Sequence, residues 1–272
     1  MLKMPRGGRK APLYEDDPLD EDPKDRQFVT ALARGLEVLR CFRPGDAGLG
    51  NQDIAERTGL PKPTISRLTH TLTRLGYLKY ADRQGIYQLG PGVLALGYSM
   101  LAGLDIRDRA RPLMQELADQ ANASVALGSR DRLSMVYLEC CRGQGAVTLR
   151  LDVGSRVPIA TTAMGRALLA SLPEAERAYL LGLMRDRFPD EFPKLEQGVE
   201  RAIRDIETRG FCLSLGDWQG DVHAAAVPLL AADRSAVFGL NCGGPSFLLS
   251  PRKLEEEIGP RLVEIAKQLT LR

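Results

Sequence analysis

The 272-residue chain has few of the residues that most catalytic and metal sites require. It contains two histidines and one tryptophan, no glycine-rich phosphate loop, and five cysteines without a CxxC pair or a histidine at metal-ligand spacing. These absences argue against an enzyme. We therefore expect no catalytic residue, no metal site and no cofactor.

Long apolar runs are also missing. No segment is long enough to cross a bilayer, and the basic N-terminus MLKMPRGGRKAPLYEDD is not followed by the apolar core of a secretory signal. We expect a cytoplasmic protein with no membrane partner. In that compartment the cysteines should be reduced, and most should be buried.

Residues 51–74 carry the pattern of two short helices joined by a tight turn. Their apolar residues recur at helical spacing and form one seam: Ile54, Ala55, Leu60, Ile65, Leu68 and Leu72. Gly59 lies where a left-handed residue most easily ends the first helix, and Pro61 and Pro63 suit the turn and the first turn of the next helix. This layout is typical of a helix-turn-helix, whose second helix enters the DNA major groove. The alternative is an ordinary pair of packed helices with a solvated outer face.

A hairpin signal follows directly. The segment KYADRQGIYQL is predicted to form two short strands around a turn from Asp82 to Gly85, and a hairpin after a recognition helix is a wing. Between Gly59 and Arg83 there are five basic residues and one acid, a net charge of +4, whereas the whole chain carries only +2. Positive charge is thus concentrated where phosphate contacts would be made. The sequence predicts a winged helix-turn-helix.

The residues that we expect to contact double-stranded operator DNA are polar or basic and lie away from the apolar seam. Those that should face the groove are Lys62, Thr64, Ser66, Arg67 and His70, and Arg83 should lie on the wing near phosphate or the minor groove.

The length suits two domains. We predict a disordered tail over 1–25, the winged helix-turn-helix over 26–89, a linker helix over 90–104 and a second domain over 105–272. The linker helix has apolar residues on more than one face and is a candidate dimer contact. In the second domain, paired strands with helices grouped between them predict an antiparallel sheet covered by helices, an α+β fold.

The elements of the second domain are predicted from apolar periodicity and turn residues. Strands are expected at 125–127, 135–140, 147–151, 211–215, 223–229 and 237–242, with turns at 129–131 and 142–145. Helices are expected at 106–121, 161–172, 173–184, 194–209 and 251–269.

Several stretches, in order, resemble the IclR family of transcriptional regulators. They are ALARGLEVLRCF, DIAERTGLPKPTISRLTHTLTRLGYL, YQLGPGVLALG, VGSRVPIATTAMGRALLA, RGFCLSLGDWQGDVHAAAVPL and GLNCGGPS, and the resemblance covers about 27–272. It implies a winged helix-turn-helix joined by a linker helix to an effector-binding domain with a GAF-like fold. It also implies dimers, often paired into tetramers, that respond on operator DNA to a small organic molecule.

The predicted helix start at Thr161 and Thr162 offers amide N–H groups and a helix dipole that favour a carboxylate. The resemblance places Ala163 and Met164 of this helix start in one wall of the effector pocket. It matches further lining positions to Leu149, Val157, Ser214, Val222, Ala224, Asn241 and Gly243. Ser214 stands where many members carry an acid and Ala224 where a cysteine is common, so the ligand's identity does not carry over. Core packing is the alternative role of each position.

Two alternative functions stay open on the sequence alone. The adjacent Cys140 and Cys141 suggest a thiol redox sensor on the same scaffold, although neighbouring cysteines pair only with strain. The other is a metabolite-binding or enzymatic domain with a fused helical module. In that domain Asp221 and His223, two residues apart on one face of a strand, could form a local pair.

Overall fold

The computed structural model describes residues 27–144, 151–230 and 237–270. They form two compact units that divide between Leu104 and Asp105. No helix in these ranges is both long enough and apolar enough to span a membrane. Among the predicted segments, the tail at 1–25 and most of the strand at 147–151 lie outside the described residues.

The N-terminal unit is a small helical domain with a two-stranded hairpin. Its elements are α1 (Thr30–Arg40), α2 (Asn51–Thr58), α3 (Lys62–Arg74), β1 (Leu78–Ala81), β2 (Ile86–Leu89) and α4 (Pro91–Ala102). Its core holds the residues expected from the apolar seam together with neighbours from α1 and β1: Val38, Leu49, Ile54, Ile65, Leu72 and Leu78.

The turn between α2 and α3 has the predicted chemistry. Gly59 has a φ of 68°, the left-handed conformation that favours glycine, and its amide hydrogen-bonds the carbonyl of Ala55. Pro61 caps α3, and Pro63 lies in its first turn, where the missing amide hydrogen costs nothing. The two helices and the turn between them are confirmed.

The second unit is built on a six-stranded sheet in the order β5-β4-β3-β8-β7-β6, antiparallel throughout. Its strands are β3 (Ser124–Asp131), β4 (Ser134–Arg142), β5 (Arg156–Pro158), β6 (Cys212–Leu215), β7 (Val222–Leu230) and β8 (Val237–Pro245). Its helices are α5 (Asp105–Ala121), α6 (Ala163–Ser171), α7 (Glu174–Arg187), α8 (Phe192–Arg209), α9 (Pro251–Lys253) and α10 (Gly259–Thr270), with a π-helical segment, Leu254–Ile258, between the last two. The α+β class is confirmed, and the closer likeness to a GAF fold stays a prediction.

The two faces of this sheet are covered by different helices. Cys141, on β4, directs its sulfur toward the Arg111 carbonyl of α5, and α10 packs beside α5 on that face. The Met164 side chain of α6 crosses the other face, directly above Gly128 and Gly239, where a β-carbon would overlap it. The face under α6 is the one that carries the effector positions.

Some predicted bounds were wrong. Ser129, Arg130 and Asp131 were expected to form a turn, but they belong to β3 and pair with β4. The chain reverses instead at Arg132, whose φ of 57° is left-handed. The strand β5 was missed, and Leu151, the one described residue of the expected strand at 147–151, is in no strand. The C-terminal helix contains an unpredicted π-helical segment.

A β-bulge in β4 controls which side chains meet which helix. Leu127 is opposite Glu139, whereas Gly128 is opposite Tyr137, so Leu138 is an extra residue on β4. The extra residue reverses the normal alternation. Glu139 therefore faces α5, where Arg107 and Arg111 pair with its carboxylate, while Tyr137 faces α6.

Candidate functional site

The outer face of α3 presents most of the residues predicted to contact DNA. Ile65, Thr69 and Leu72 are buried on its inner face. Lys62, Ser66, Arg67 and His70 are exposed, as is Arg83 in the turn of the wing, whereas Thr64 is half-buried. The four exposed α3 residues of this predicted set thus present two basic groups, a hydroxyl and an imidazole to solvent.

Contacts from α2 position this face. The Asn51 side-chain amide donates to Ser66 Oγ over 3.3 Å, so the first residue of α2 orients a hydroxyl on α3. The side-chain oxygen of Asn51, Oδ1, is buried and has no hydrogen-bond partner within the described ranges. Asn51 is therefore a positioning residue that sequence reasoning did not single out.

An ion pair fastens α2 to the loop that precedes it. Arg57 contacts both carboxylate oxygens of Asp46, at 2.6 and 3.0 Å, and donates to the Cys41 carbonyl at 2.9 Å. The hydrogen bond from Arg57 holds the pKa of Asp46 below its usual value. The pair fixes the end of α2 against the loop.

The wing is joined to the same loop. Leu49 and Tyr87 exchange two backbone hydrogen bonds, of 2.9 and 2.8 Å, and the rings of Tyr80 and Tyr87 lie 4.7 Å apart across the hairpin. These contacts set the position of the turn that carries Arg83.

The N-terminal unit exposes many large apolar side chains. On α1 and the residue before it these are Val29, Leu32 and Leu36, and on α4 they are Leu94, Leu96, Tyr98 and Met100, all at least half exposed. None of the α4 residues is buried. A helix apolar on every side is not stable in water by itself, so a partner surface is expected to cover it.

The start of α6 has the predicted N-terminal geometry. Thr162 is the N-cap: its hydroxyl accepts from the Gly165 amide over 3.2 Å and donates to the Pro158 carbonyl over 2.7 Å. The amides of Ala163 and Met164 precede the first helical hydrogen bond, and no acceptor among the described residues bonds them. Unbonded amide groups at a helix start favour a bound anion.

Four of the predicted effector positions share one region of the sheet beneath α6. Ser214, Ala224 and Gly243 are in register across β6, β7 and β8. Asn241 is two residues before Gly243 on β8 and therefore lies on the same face of the sheet. Ser214 Oγ donates to the Thr161 carbonyl over 2.8 Å, which ties this row to the segment leading into α6. Ala224 packs with Ala163 and Ala167 of α6 in a cluster of small buried side chains.

Buried polar atoms without partners cluster around this row. In the described ranges they include Thr161 Oγ1, Asn241 Oδ1 and Ser124 Oγ, and Ser124 is opposite Gly243 in the register. Buried polar groups are normally hydrogen-bonded, and an orphan costs free energy until a partner arrives. Such orphans are expected where a ligand completes the hydrogen bonding.

The remaining predicted positions are more scattered. Val222 is on the same sheet face at the start of β7, whereas Val157, on β5, is separated from β7 by three strands. Leu149 lies outside the described residues. A separate apolar pocket lies between α7, α8 and the segment before α6, and its lining includes Thr161, Met184, Phe188 and Leu195. None of the predicted effector residues that the structure describes lines that pocket.

The cysteines are free thiols, and three of the five are buried. Burial raises the pKa of Cys140 to about 11 and also raises that of Cys141. The two alternate along β4, so their side chains point to opposite faces of the sheet. His223 is not paired with Asp221 as proposed above. Its Nδ1 lies 2.8 Å from the Leu249 carbonyl, and Asp221 precedes the strand.

Two family models match the chain. The IclR helix-turn-helix domain matches residues 31–82, and the bacterial transcriptional regulator IclR C-terminal domain matches residues 98–271. The chain is 35% identical, over 89% of its length and 87% of the relative's, to the HTH-type transcriptional regulator TsaQ1/TsaQ2 of Comamonas testosteroni. It is 27% identical to the Pca regulon regulatory protein of Pseudomonas putida, over 90% of this chain and 84% of that one.

A solved structure shows the same fold over nearly the whole length. The IclR family transcriptional regulator from Brucella abortus is 54% identical and superposes with a TM-score of 0.85, covering 94% of this chain and 95% of that chain.

Proposed function

This chain belongs to the IclR family of transcriptional regulators, and on that premise we propose that it binds operator DNA as a homodimer under the control of a small carboxylic acid. The family comprises regulators rather than enzymes, with a DNA-binding helix-turn-helix and an effector-binding C-terminal domain. We assign DNA binding to 26–89, the linker helix to 90–104 and effector binding to 105–272.

The exposed face of α3 carries the DNA-binding part of the proposal. Lys62, Ser66, Arg67 and His70 are directed away from the buried seam, and Arg83 extends from the wing. Side chains of these types read base edges or neutralise phosphates. Thr64 is half-buried, so its proposed contact is to the DNA backbone at the edge of the groove.

A second copy of the chain is the proposed partner of the exposed apolar surface on α1 and α4. One helix-turn-helix reads too few base pairs for specific binding, and a two-fold dimer presents two of them to successive turns of the duplex. Covering side chains such as Leu94 and Tyr98, which are 75% and 68% exposed, would supply the association free energy. A tetramer remains a prediction.

The start of α6 carries the effector part. The unbonded amides of Ala163 and Met164 favour a negative charge, while Ala224, Gly243 and the methionine side chain offer an apolar body site. We propose that the effector's carboxylate lies at these amides and its apolar part above the row of small residues. Ser214, Val222 and Asn241 line its sides, and Leu149 and Val157 are proposed at the rim.

Binding to the promoter DNA of the chain's own gene, followed by fluorescence anisotropy between 50 and 200 mM salt, tests the first part of the proposal. Neutralising several phosphates per dimer predicts a steep loss of affinity, roughly 10³-fold or more if six phosphates are contacted. Affinity that does not depend on salt would contradict the proposed contacts.

Thermal-shift screening of organic acids, sugars and amines tests the effector class. A ligand that binds only the folded chain raises the melting temperature by mass action. We expect stabilisation by acids with an apolar body. Stabilisation by sugars or amines alone would rule out the carboxylate while leaving DNA binding intact.

A further inference from the structure

A side-chain hydrogen bond joins the start of α2 to the exposed face of α3. Asn51 is the first residue of α2, and its amide Nδ2 donates to Ser66 Oγ over 3.3 Å. Ser66 lies in the middle of an exposed row, one helical turn after Lys62 and one turn before His70. The bond thus ends in the N-terminal half of the helix, which is the part that a helix-turn-helix directs at base edges.

The Ser66 hydroxyl differs from three threonine hydroxyls further along α3. Those of Thr69, Thr71 and Thr73 each donate their hydrogen to the carbonyl four residues earlier, over 2.9, 3.0 and 2.7 Å. Ser66 makes no such bond: its oxygen accepts from Asn51, and its hydrogen has no acceptor among the residues that the structure describes. The oxygen therefore has a partner, whereas the hydrogen is still available for one.

The position of Asn51 favours this direction of the bond. Its amide group has a donating NH₂ end and an accepting oxygen, and the oxygen is the buried end. At the first turn of a helix the free backbone amides carry a partial positive charge. That charge favours the oxygen on the buried side and leaves the NH₂ group for Ser66.

A hydrogen-bond donor on this face discriminates between bases. In the major groove guanine presents the acceptors N7 and O6, adenine presents N7 and thymine presents O4, whereas the polar group of cytosine there is the N4 donor. Opposite cytosine, the Ser66 hydrogen would lose water without gaining an acceptor. A donor left unsatisfied in an interface costs binding free energy.

We propose that Asn51 determines base specificity through Ser66: by occupying the Ser66 oxygen it directs the Ser66 hydrogen to an acceptor on a base edge, which disfavours cytosine at one position of the operator. Asn51 is a positioning residue in this scheme, and Ser66 makes the contact. The inference rests on the proposed placement of α3 in the major groove and adds the polarity of one contact.

Affinities of the full chain for the promoter fragment of its own gene, and for fragments in which each base pair is replaced in turn, test the proposal. Ser66→Ala identifies the base pair, because the preference at that position should disappear. There the wild type should bind cytosine on the contacted strand at least about fivefold more weakly than the best of the other three bases.

Asn51→Asp should reverse the preference. A carboxylate only accepts, so Ser66 must donate its hydrogen to the new side chain and present lone pairs to the DNA. The preferred bases should then be those with a donor, cytosine and adenine. The added charge weakens binding to every fragment alike, so the ratios between fragments report the contact. Asn51→Ala removes the partner without adding charge and should bring the four affinities closer together.

Gln52→Glu is the matched control. It makes the same amide-to-carboxylate change on the next residue of α2, which is exposed and whose side chain donates to Glu56 of the same helix. The base preferences of this variant should equal those of the wild type.

The outcomes separate this inference from the proposed function. Base preferences that are the same in the wild type, Asn51→Asp and Asn51→Ala overturn the role of Asn51 while leaving operator binding intact. If Ser66→Ala weakens binding to every fragment by the same factor, Ser66 contacts a phosphate and the base contact is overturned. Failure of the wild type to bind any fragment contradicts the proposed DNA binding itself.

Discussion

Arg166 and Asp217 form an ion pair, 2.6 Å between Nη1 and Oδ2, that ties α6 to the turn between β6 and β7. Only 3% of the Arg166 side chain is exposed, and its Nε also donates to the Ala160 carbonyl over 2.8 Å. The guanidinium passes Gly198 of α8 so closely that a β-carbon there would overlap it. The helix start proposed to bind the effector is thus held by a buried charge.

Gly198→Ala should therefore destabilise the chain. The added methyl group would displace a buried arginine from its carboxylate, and breaking such a pair costs about 3–5 kcal/mol. Gly182→Ala in α7 is the matched control, since nothing lies within 4 Å of the new β-carbon. In this control the free energy of unfolding should rise by about 0.5–1 kcal/mol, because alanine favours a helix more than glycine does. Urea unfolding of both variants measures the difference, and equal stabilities would contradict the account of Arg166.

The cysteines should not act as a redox switch. With a pKa of about 11, Cys140 is a thiolate in about one molecule in a thousand at pH 8. We expect slow alkylation by iodoacetamide at pH 8, rising as the pH approaches 11. Changing Cys140 and Cys141 together to serine should leave the response of DNA binding to peroxide unaltered. A lost response in that variant would favour the sensor alternative.

The Asp46–Arg57 pair should stabilise the N-terminal unit in a pH-dependent way. Because the folded pKa of Asp46 is lowered, its contribution is present above the unfolded value near 4 and is lost as the pH falls through the folded value. Asp46→Asn should lower the free energy of unfolding by about 1–3 kcal/mol at pH 7. The difference from wild type should shrink below pH 4.

Hydrogen exchange of the α2 amides at pH 7 and in acid measures this effect. Glu56→Gln, an exposed carboxylate on the same helix, is the control and should change little at either pH. A loss from Asp46→Asn that is the same at both pH values would show that the charge of Asp46 is not what matters.

The exposed apolar surface of α4 should hold the dimer together. Leu94→Asp combined with Tyr98→Asp places two charges one helical turn apart on that surface, and the desolvation cost should shift the chain to monomers. Phe247→Asp, equally exposed at 74% but in the second unit, should remain dimeric. Analytical ultracentrifugation at micromolar concentration distinguishes the two. An unchanged sedimentation coefficient for the α4 variant would place the interface elsewhere.

The sequence predicted those elements whose signals are local. Gly59, Pro61 and Pro63 define the turn before α3 by backbone preference alone, and Asp82 and Gly85 define the wing in the same way. The missed strand β5 has three residues and exists because β4 pairs with it, which no local pattern reveals. The turn expected at 129–131 was wrong because polar residues also suit the half-buried end of a strand.

The orientation of Tyr137 was beyond sequence reasoning for a related reason. Tyr137 faces α6, on the same side of the sheet as Asn241, because an extra residue in β4 reverses the alternation there. That orientation depends on how β4 pairs with β3, which no local pattern reveals. Asn241 was expected to line the pocket by resemblance, whereas Tyr137 was not.

The most direct test of DNA recognition is the affinity of a Lys62→Ala/Arg67→Ala double variant for the native promoter fragment at fixed salt. Loss of Arg67 alone should cost about 1–3 kcal/mol of binding free energy if it reads a guanine, and loss of Lys62 should remove a phosphate contact in addition. Arg201→Ala/Arg204→Ala in α8 removes the same charge from the second unit and should leave binding nearly unchanged. Wild-type affinity in the α3 variant would contradict the placement of α3 in the major groove.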